Sequence, residues 1–372
     1  MNNAITLVVA GREYGGWKSV GITAGIERVA RDFSLSITRS WPDAPTLQRV
    51  VMPFDSCEVY IGNDLVLTGD IDATPLSYDS GSVSVSISGR SKTARLVDCS
   101  AISATGQWSG MTVERIAADL GSVYGVSVKA DVSTGGAIAD HQLQQGETAF
   151  ESIDRLLQLR QLLATDTARG ELLITQASEV RSGETLVMPG NILTADASLD
   201  FKDVFSSYTC KGQRSSSETD DDADENLPAS LSGASAEVAD TRVPYPRQLI
   251  IKMAGQADGA ACSDRARYER DYRRAKALAT TYTVQGWRKR TGQLWVPNEL
   301  VRVRDPVVGI DADWLIAEVE YRIDDGGTIS RLTVSPRGAY VRPADSVQKS
   351  SAGRDKADKW QGVESLEDEA DA

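Results

Sequence analysis

At 372 residues, 41% hydrophobic and 25% charged, the chain is long enough for roughly two to four packed units and too apolar for wholesale disorder. Its net charge of −13 argues against a grip on nucleic acid, because phosphates are held by clustered Lys and Arg. The longest apolar stretches, such as Leu7–Ala10 and Trp314–Ala317, are strand-sized and far short of the roughly 20 residues of a membrane helix, so no membrane insertion is expected.

The N-terminus, Met1-Asn2-Asn3-Ala4-Ile5, has no positive segment followed by an apolar one, so no secretory signal is expected and folding in a cytoplasm is. Residues 1–97 read as β-structure. Ile5, Leu7 and Val9 alternate with polar or small neighbours, as do Phe33, Leu35 and Ile37, then Val83, Val85 and Ile87. Gly62-Asn63-Asp64 forms a turn between Val59–Ile61 and Leu65–Leu67. Short strands at this spacing predict a small barrel or sandwich.

Over residues 98–195 the period changes. Val113, Ile116, Ala117 and Leu120 fall on one helix face after Thr112, Gly121 and Gly125 end that helix, and Val126 and Val128 open a strand. Thr148 and Glu151 form a capping box ahead of Phe150, Ile153 and Leu157, predicting a helix to about Leu159. Leu162–Thr165 and Leu172–Thr175 then predict a hairpin across Thr167-Ala168-Arg169-Gly170, which completes a compact α/β unit.

A second β unit is expected over 196–213 and 282–345. It opens with Val204–Lys211 and resumes with Tyr282–Trp287, Leu294–Val296, Leu300–Val303, Trp314–Ile323 and Thr328–Val334; Asp324-Asp325-Gly326-Gly327 marks the last hairpin. Residues 214–281 interrupt it as an insertion. The acidic run 218–225 within it reads as a solvated loop, and it lacks the glycine and distal glutamate of a calcium loop. Residues 262–281 predict a helix whose Arg residues are diluted by Asp264, Glu269 and Asp271, a solvated face rather than a phosphate site. The tail, 346–372, is polar and charged with one aromatic, Trp360, a candidate docking segment.

Catalytic chemistry is hard to find. The single histidine, His141, removes most metal sites and triads at once, and it reads as an ordinary surface or strand-edge residue. Cys57, Cys99, Cys210 and Cys262 have no metal-like or redox spacing and read as small buried hydrophobes. Neither phosphate-loop pattern nor a G-x-S-x-G elbow occurs. A pair of carboxylates of glycosidase type is not excluded by 53 Asp and Glu, so a tail-associated cell-wall hydrolase stays as an alternative, with a receptor-binding β-protein as a third. No cofactor or metal is expected.

Six segments carry a resemblance in order and spacing: ITLVVAGREYGGWKSV (5–20) with ERVARDFSLSIT (27–38), ISGRSKTARLVDCSA (87–101), QWSGMTVERIAADLGSVYGVSV (107–128), QQGETAFESIDRLLQLRQLLATD (144–166) and LWVPNELVRVRDPVVGID (294–311). Together they resemble the Mu-type baseplate hub protein of contractile-tailed phages, similar in design to the central hub of T-even phage baseplates. The resemblance implies a non-enzymatic structural protein of the virion tail baseplate, assembled in the host bacterial cytoplasm. It implies an α+β, mainly β fold: two small tube-type β-barrel domains, an α/β domain between them and an α-containing insertion in the second barrel. It also implies a ring-shaped homotrimer that joins the six-fold tail tube and other baseplate proteins to the trimeric central spike, with a channel for DNA and no sequence-specific nucleic-acid binding. Barrel count and ring come from the resemblance and not from periodicity. By residue type Trp17, Trp41, Trp295, Trp314 and the tail's Trp360 are candidate interface anchors, although Trp equally fills barrel cores.

Overall fold

The computed structural model describes residues 3–40, 51–79, 82–160, 162–213, 234–256, 259–324 and 327–341. The acidic run 218–225, Trp41, Trp360 and the tail lie outside the described residues.

The first unit holds β1 (Ile5–Val9), β2 (Arg12–Tyr14), β3 (Ser19–Gly25), β4 (Asp32–Ser40), β5 (Ser56–Ile61), β6 (Asp64–Ala73), β7 (Leu76–Tyr78) and β8 (Ser82–Ser91). The apolar alternation faces one core: Leu7, Ile22, Leu35, Val59, Ile61 and Leu67 are all buried. The β5–β6 hairpin closes at Gly62, whose φ of 61° suits a residue without Cβ. Two other glycines are required by approach. A Cβ on Gly69 would stand 1.9 Å from the Arg90 carbonyl oxygen, and one on Gly89 would stand 2.2 Å from that of Asp70, so β6 and β8 meet only because both lack side chains.

The α/β unit follows with α1 (Ala94–Asp98), β9 (Gln107–Met111), α2 (Val113–Ser122), β10 (Val128–Ala130), β11 (Ile138–Gln142), α3 (Ala149–Arg160), β12 (Leu163–Asp166) and β13 (Leu172–Thr175). Thr112 caps α2 by accepting from the Arg115 N–H. The expected face, Val113, Ile116, Ala117 and Leu120, is buried against Ile153, Leu156 and Leu157 of α3. The capping box forms as read: Thr148 N donates to Glu151 at 2.7 Å and Glu151 N to the Thr148 hydroxyl at 3.1 Å. β10, β13 and β12 make a three-stranded sheet, and β9 pairs with β11.

The remaining strands are β14 (Arg181–Val187), β15 (Ile192–Ala197), β16 (Ser207–Gln213), β17 (Ser235–Ala239) and β18 (Gln248–Gln256), then α4 (Gly259–Ala277), β19 (Thr280–Gln285), β20 (Leu300–Asp305), β21 (Ile310–Asp324) and β22 (Gly327–Ser335), with a 3-10 turn at Arg337–Ala339. Here the structure departs from the sequence reading in four places. β14 and β15, expected in the α/β unit, pair with β20 and β19. β16, expected in the second β unit, pairs instead with β17 and β18 and packs on α4 through Tyr208, Cys210, Cys262 and Ala266. Leu294–Val296 makes only an isolated bridge from Leu294 to Arg288, because a tight turn from Lys289 to Gln293 and the missing N–H of Pro297 leave no room for a ladder. The helix ends at Ala277 rather than residue 281, since Thr280 onward is claimed by β22.

The larger difference is that the two β units are not separate. One 14-stranded sheet runs β15-β19-β22-β21-β3-β4-β8-β6-β5-β1-β2, with β20 and then β14 branching from β21 and β7 from β8, and one buried cluster includes Leu7, Phe33 and Leu67 together with Trp287, Val303 and Leu332. The fold is α+β and mainly β.

Gly69→Ala is expected to destabilise the first unit by about 3 kcal/mol through overpacking, while Gly21→Ala on β3, where a Cβ meets nothing within 4 Å, leaves stability nearly unchanged; urea unfolding of the two variants checks the contrast.

Candidate assembly site

Two features of the geometry stand out: how the units lock together, and which strand edges have a single partner among the described residues. The first lock is β21. Ile310–Leu315 pairs with β20. At the bulge that follows, Asn298 N donates to Ile316 O and Ile26 N to Ala317 O, and Glu318–Ile323 then pairs with β3. The opposite edge stays on β22 from Leu315 onward. The apolar run Trp314–Ala317 sits at this crossing and is buried throughout. Trp314 and Ile316 face the large core, while Leu315 and Ala317 face a second cluster with Ile26, Leu163 and Tyr340. Burial on both faces is why the run does not alternate.

Arginines supply the other locks. Arg288, on the loop after β19, donates to Ile61 O at 3.1 Å and Asn3 Oδ1 at 3.0 Å and pairs with Asp64 at 2.7 Å, so it grips the β5–β6 turn of the first unit. Arg95 of α1 makes a two-pronged contact to Asp70 of β6, both bonds 2.8 Å, and donates to Tyr124 O. Arg31 joins the first unit to β12. Its Nε donates to Asp166 Oδ1 at 2.9 Å, its backbone N to Oδ2, and its guanidinium also reaches the carbonyls of Asp166 and Val66. The Asp166 carboxylate has no exposed surface; burial pushes its pKa up and the Arg31 charge opposes that shift. The linker after β13 is held by Asn298, which accepts from Ser178 N and donates to Gln176 O, and by Arg337, which donates to Ala177 O and Ser178 O.

The candidate tryptophans divide. Trp295 and Trp314 are buried in the large core, so nearly all their surface is already used within one subunit. Trp17 is partly buried against the same core, and its indole N–H is buried with no acceptor among the described residues. Trp287, not singled out from the sequence, is fully buried and donates to Arg322 O and Ile329 O.

What the sequence reading missed is the set of sheet edges. Among the described residues four strands of the large sheet have a single partner: β15 beside β19 and β14 beside β20 on the second β unit, β2 beside β1 and β7 beside β8 on the first. Leu193, Leu199, Phe201 and Val307 are exposed at or near the β15 end, beside an apolar hollow of ≈ 330 Å³ lined by Leu199, Leu278, Val308, Ile310 and Trp314. In the first unit Leu76 and Tyr78 of β7 are exposed, and Phe54 is 91% exposed at a φ of 73°. The Phe54 N–H is fixed to Ile71 O. Exposed strand edges with apolar flanks invite another chain.

His141 lies on an edge strand, as one half of the sequence reading had it, but it is buried rather than on the surface. It lies on β11 opposite Trp108, with Nε2 2.8 Å from the buried Ser152 hydroxyl and the Trp108 ring 5.8 Å away. Both partners are enclosed in the α/β core, which suits packing rather than attack on a substrate. Burial, then the nearby Arg155, lowers its pKa. Cys57, Cys210 and Cys262 are buried as expected, Cys99 is half-buried, and burial pushes the Cys57 thiol up to about 12. Among the described residues no cluster of three or more His, Cys, Asp or Glu could hold a metal, and no helix is long and apolar enough to cross a membrane.

Three family models match: Mu phage baseplate assembly protein GpP-like, N-terminal, over residues 4–91; baseplate hub protein gp44-like, second domain, over 93–176; and Mu phage baseplate assembly protein GpP, fourth domain, over 258–342. The chain is 34% identical to the baseplate hub protein gp44 of Escherichia phage Mu over 361 residues, 95% of this chain and 93% of that one. It is similar to the 43 kDa tail protein of prophage MuSo2 from Shewanella oneidensis at 32% identity and a TM-score of 0.81, covering 91% and 100% of the two chains. The tail protein from Neisseria meningitidis MC58 shares the fold at 24% identity and a TM-score of 0.75, covering 92% and 98%. The chain belongs to the Mu-type baseplate hub protein family, as a structural component of the virion tail and not an enzyme.

Two outcomes follow from the locks. Arg31→Ala leaves the enclosed Asp166 carboxylate unpaired and is expected to cost about 3–5 kcal/mol in urea unfolding. Protonating His141 opposes folding, so its contribution is present above the unfolded imidazole pKa of about 6.5 and is lost as pH falls below it; His141→Gln is expected to flatten the fall in thermal stability between pH 7.5 and 5.5.

Proposed function

We propose that three copies of the chain close into a ring at the centre of the baseplate, joining the six-fold tail tube above to a trimeric central spike below and leaving a channel through which DNA passes. Each subunit contributes two tube-type β-barrel units, the first over residues 1–97 and the second built from β14, β15 and β19–β22. Three such pairs present a six-fold-like face to the tube, and the subunits themselves present a three-fold face to the spike. The α/β unit and the insertion of β16–β18 with α4 lie outside these pairs as bracing or contact modules.

The observation that carries this reading is the single sheet that runs through both β units and whose described strands leave edges on each, β15 and β14 on the second unit and β2 and β7 on the first. A closed ring needs heterologous contacts in which one face of a subunit meets a different face of the next, and the edges of the two units differ. The exposed apolar residues at or near β15 and on the first unit favour an obligate, relatively apolar interface. Trp17 is the described member of the tryptophan set that best suits an interface, since Trp295 and Trp314 are already buried; Trp41 and Trp360 stay as proposed contacts. The net charge of −13 suits a wall past which DNA slides.

Light scattering over a concentration series is expected to show a species of three chains, or a rise toward it. Leu193→Glu on the β15 edge is expected to lower that mass while leaving the circular dichroism spectrum unchanged. A strict monomer at every concentration, with and without tail-tube and spike partners, would overturn the ring.

A further inference from the structure

The turn that leads into β5 holds an aromatic side chain away from the subunit. Phe54 has a φ of 73°, a conformation that a bulky side chain adopts only where its surroundings impose it. Four hydrogen bonds impose it here. Phe54 N donates to Ile71 O at 2.8 Å, Ile71 N to Asp55 O at 2.9 Å, Asp55 N to Met52 O at 3.2 Å and Met52 N to the Asp55 carboxylate at 2.8 Å. The side chain so presented is exposed and joins none of the buried clusters of the described residues. The strain therefore returns no packing within one subunit, and strain held this firmly points to a contact with something else. The second β unit carries the complementary shape. Its ≈ 330 Å³ hollow is walled by Leu199, Leu278, the buried Trp314 and the β20–β21 turn from Val308 to Ala312. That volume sits at the lower bound of the roughly 300–1,000 Å³ of ligand sites, room for one aromatic side chain. Charge matches as well. Asp55 stands next to Phe54, while Arg304 pairs across the ladder with the wall residue Asp311. The Arg304 side chain is 64% exposed and lies 3.8 Å from the Asp311 carboxylate, which Arg302 holds more closely. Its guanidinium thus has donors left for a carboxylate from outside.

We propose that Phe54 of one copy of the chain fills this hollow in the next copy, with Asp55 facing Arg304. The inference rests on the ring reading and names the contact that joins neighbouring subunits. A projecting apolar side chain that fits a pocket elsewhere on the same molecule makes a heterologous contact, which closes into a ring or runs on as a fibre. Both halves lie on every copy, one on each β unit, so the contact repeats without a second kind of chain. Phe54 buries roughly 150–250 Å² when covered, a fraction of the roughly 800 Å² per partner of a stable interface. It is therefore an anchor and not the whole interface. Exposed Phe201 and Val307, close in sequence to the walls of the hollow, and exposed Met52 beside Phe54 supply further apolar area. Because the turn is fixed before contact, docking orders little that was free.

The test replaces Phe54 by a photo-reactive phenylalanine analogue in the full chain, mixes isotopically light and heavy copies, and maps adducts by mass spectrometry. Light–heavy adducts are expected on peptides carrying Leu199 or Val308, and they are expected to be lost in Leu199→Arg, which changes an exposed wall residue and leaves circular dichroism unchanged. Phe54→Ser is expected to weaken association by at least about tenfold in light scattering, the scale of one aromatic anchor, and Arg304→Glu is expected to weaken it less. Adducts that join copies at other surfaces or stay within single copies, or an association unmoved by Phe54→Ser, would overturn this contact and leave the ring standing. Adducts at Leu199 or Val308 in a species that grows beyond three chains would support the contact and overturn the ring. A strict monomer, with and without tail-tube and spike partners, would remove both.

Discussion

The pairing of β3 with the second half of β21 is the constraint on which the rest of the architecture depends. Without it the two β units would be joined directly by side-chain contacts such as those of Arg288 to Ile61 O and Asp64, nearer to domains with small polar contacts, which move relative to each other. With it, six successive residues of β21, Glu318–Ile323, are hydrogen-bonded into the first unit, and the core becomes common to both. A rigid pair is what a load path through a subunit requires, since force applied to one β unit is borne by backbone hydrogen bonds along the sheet rather than by a hinge.

The arginine contacts work with this pairing rather than in place of it. Arg288 fixes the far side of the same two units, and Arg31 and Arg95 fix the α/β unit to the first. Each reaches a carbonyl as well as a carboxylate, which fixes orientation through a planar fork of donors. Ion pairs this enclosed are weak evidence for net stability but sharp determinants of geometry, because an unpaired member is costly. By contrast, the many Arg residues of α4 are neutralised on their own helix, Arg265 and Arg273 by the buried Glu269 and Arg270 by Asp271. That local pairing is consistent with a solvated helix face and not with a phosphate site.

Local signals were readable from the sequence wherever one short stretch decides the outcome. The capping box at Thr148, the helical face Val113 to Leu120 and the hairpin at Gly62 each depend on residues within a turn or two of one another. The allocation of β14, β15 and β16 was not readable, because edge strands of similar composition choose partners through long-range register. The β3–β21 joint was hidden for the same reason, although the unbroken apolar run Trp314–Ala317 carried its trace: a strand covered on both faces loses alternation. Residue type alone did not separate core from surface among the tryptophans: Trp295 and Trp314 fill the core, while exposed apolar residues such as Leu193, Leu76 and Phe54 had no distinguishing composition.

Open sheet edges are a hazard as well as a resource, because any exposed edge can template pairing with the wrong chain. The edges of this sheet are treated unequally. β2 is only three residues long and β7 likewise, and short edges offer few hydrogen bonds to a stray partner. β15 is longer, and its exposed stretch includes Asp196, which lies 3.7 Å from Arg331; a charge on the edge disfavours indiscriminate pairing. The net charge of −13 adds general repulsion between free copies. Short or charge-marked edges of this kind make weak contacts taken singly, so pairing at them gains stability only where several contacts form together.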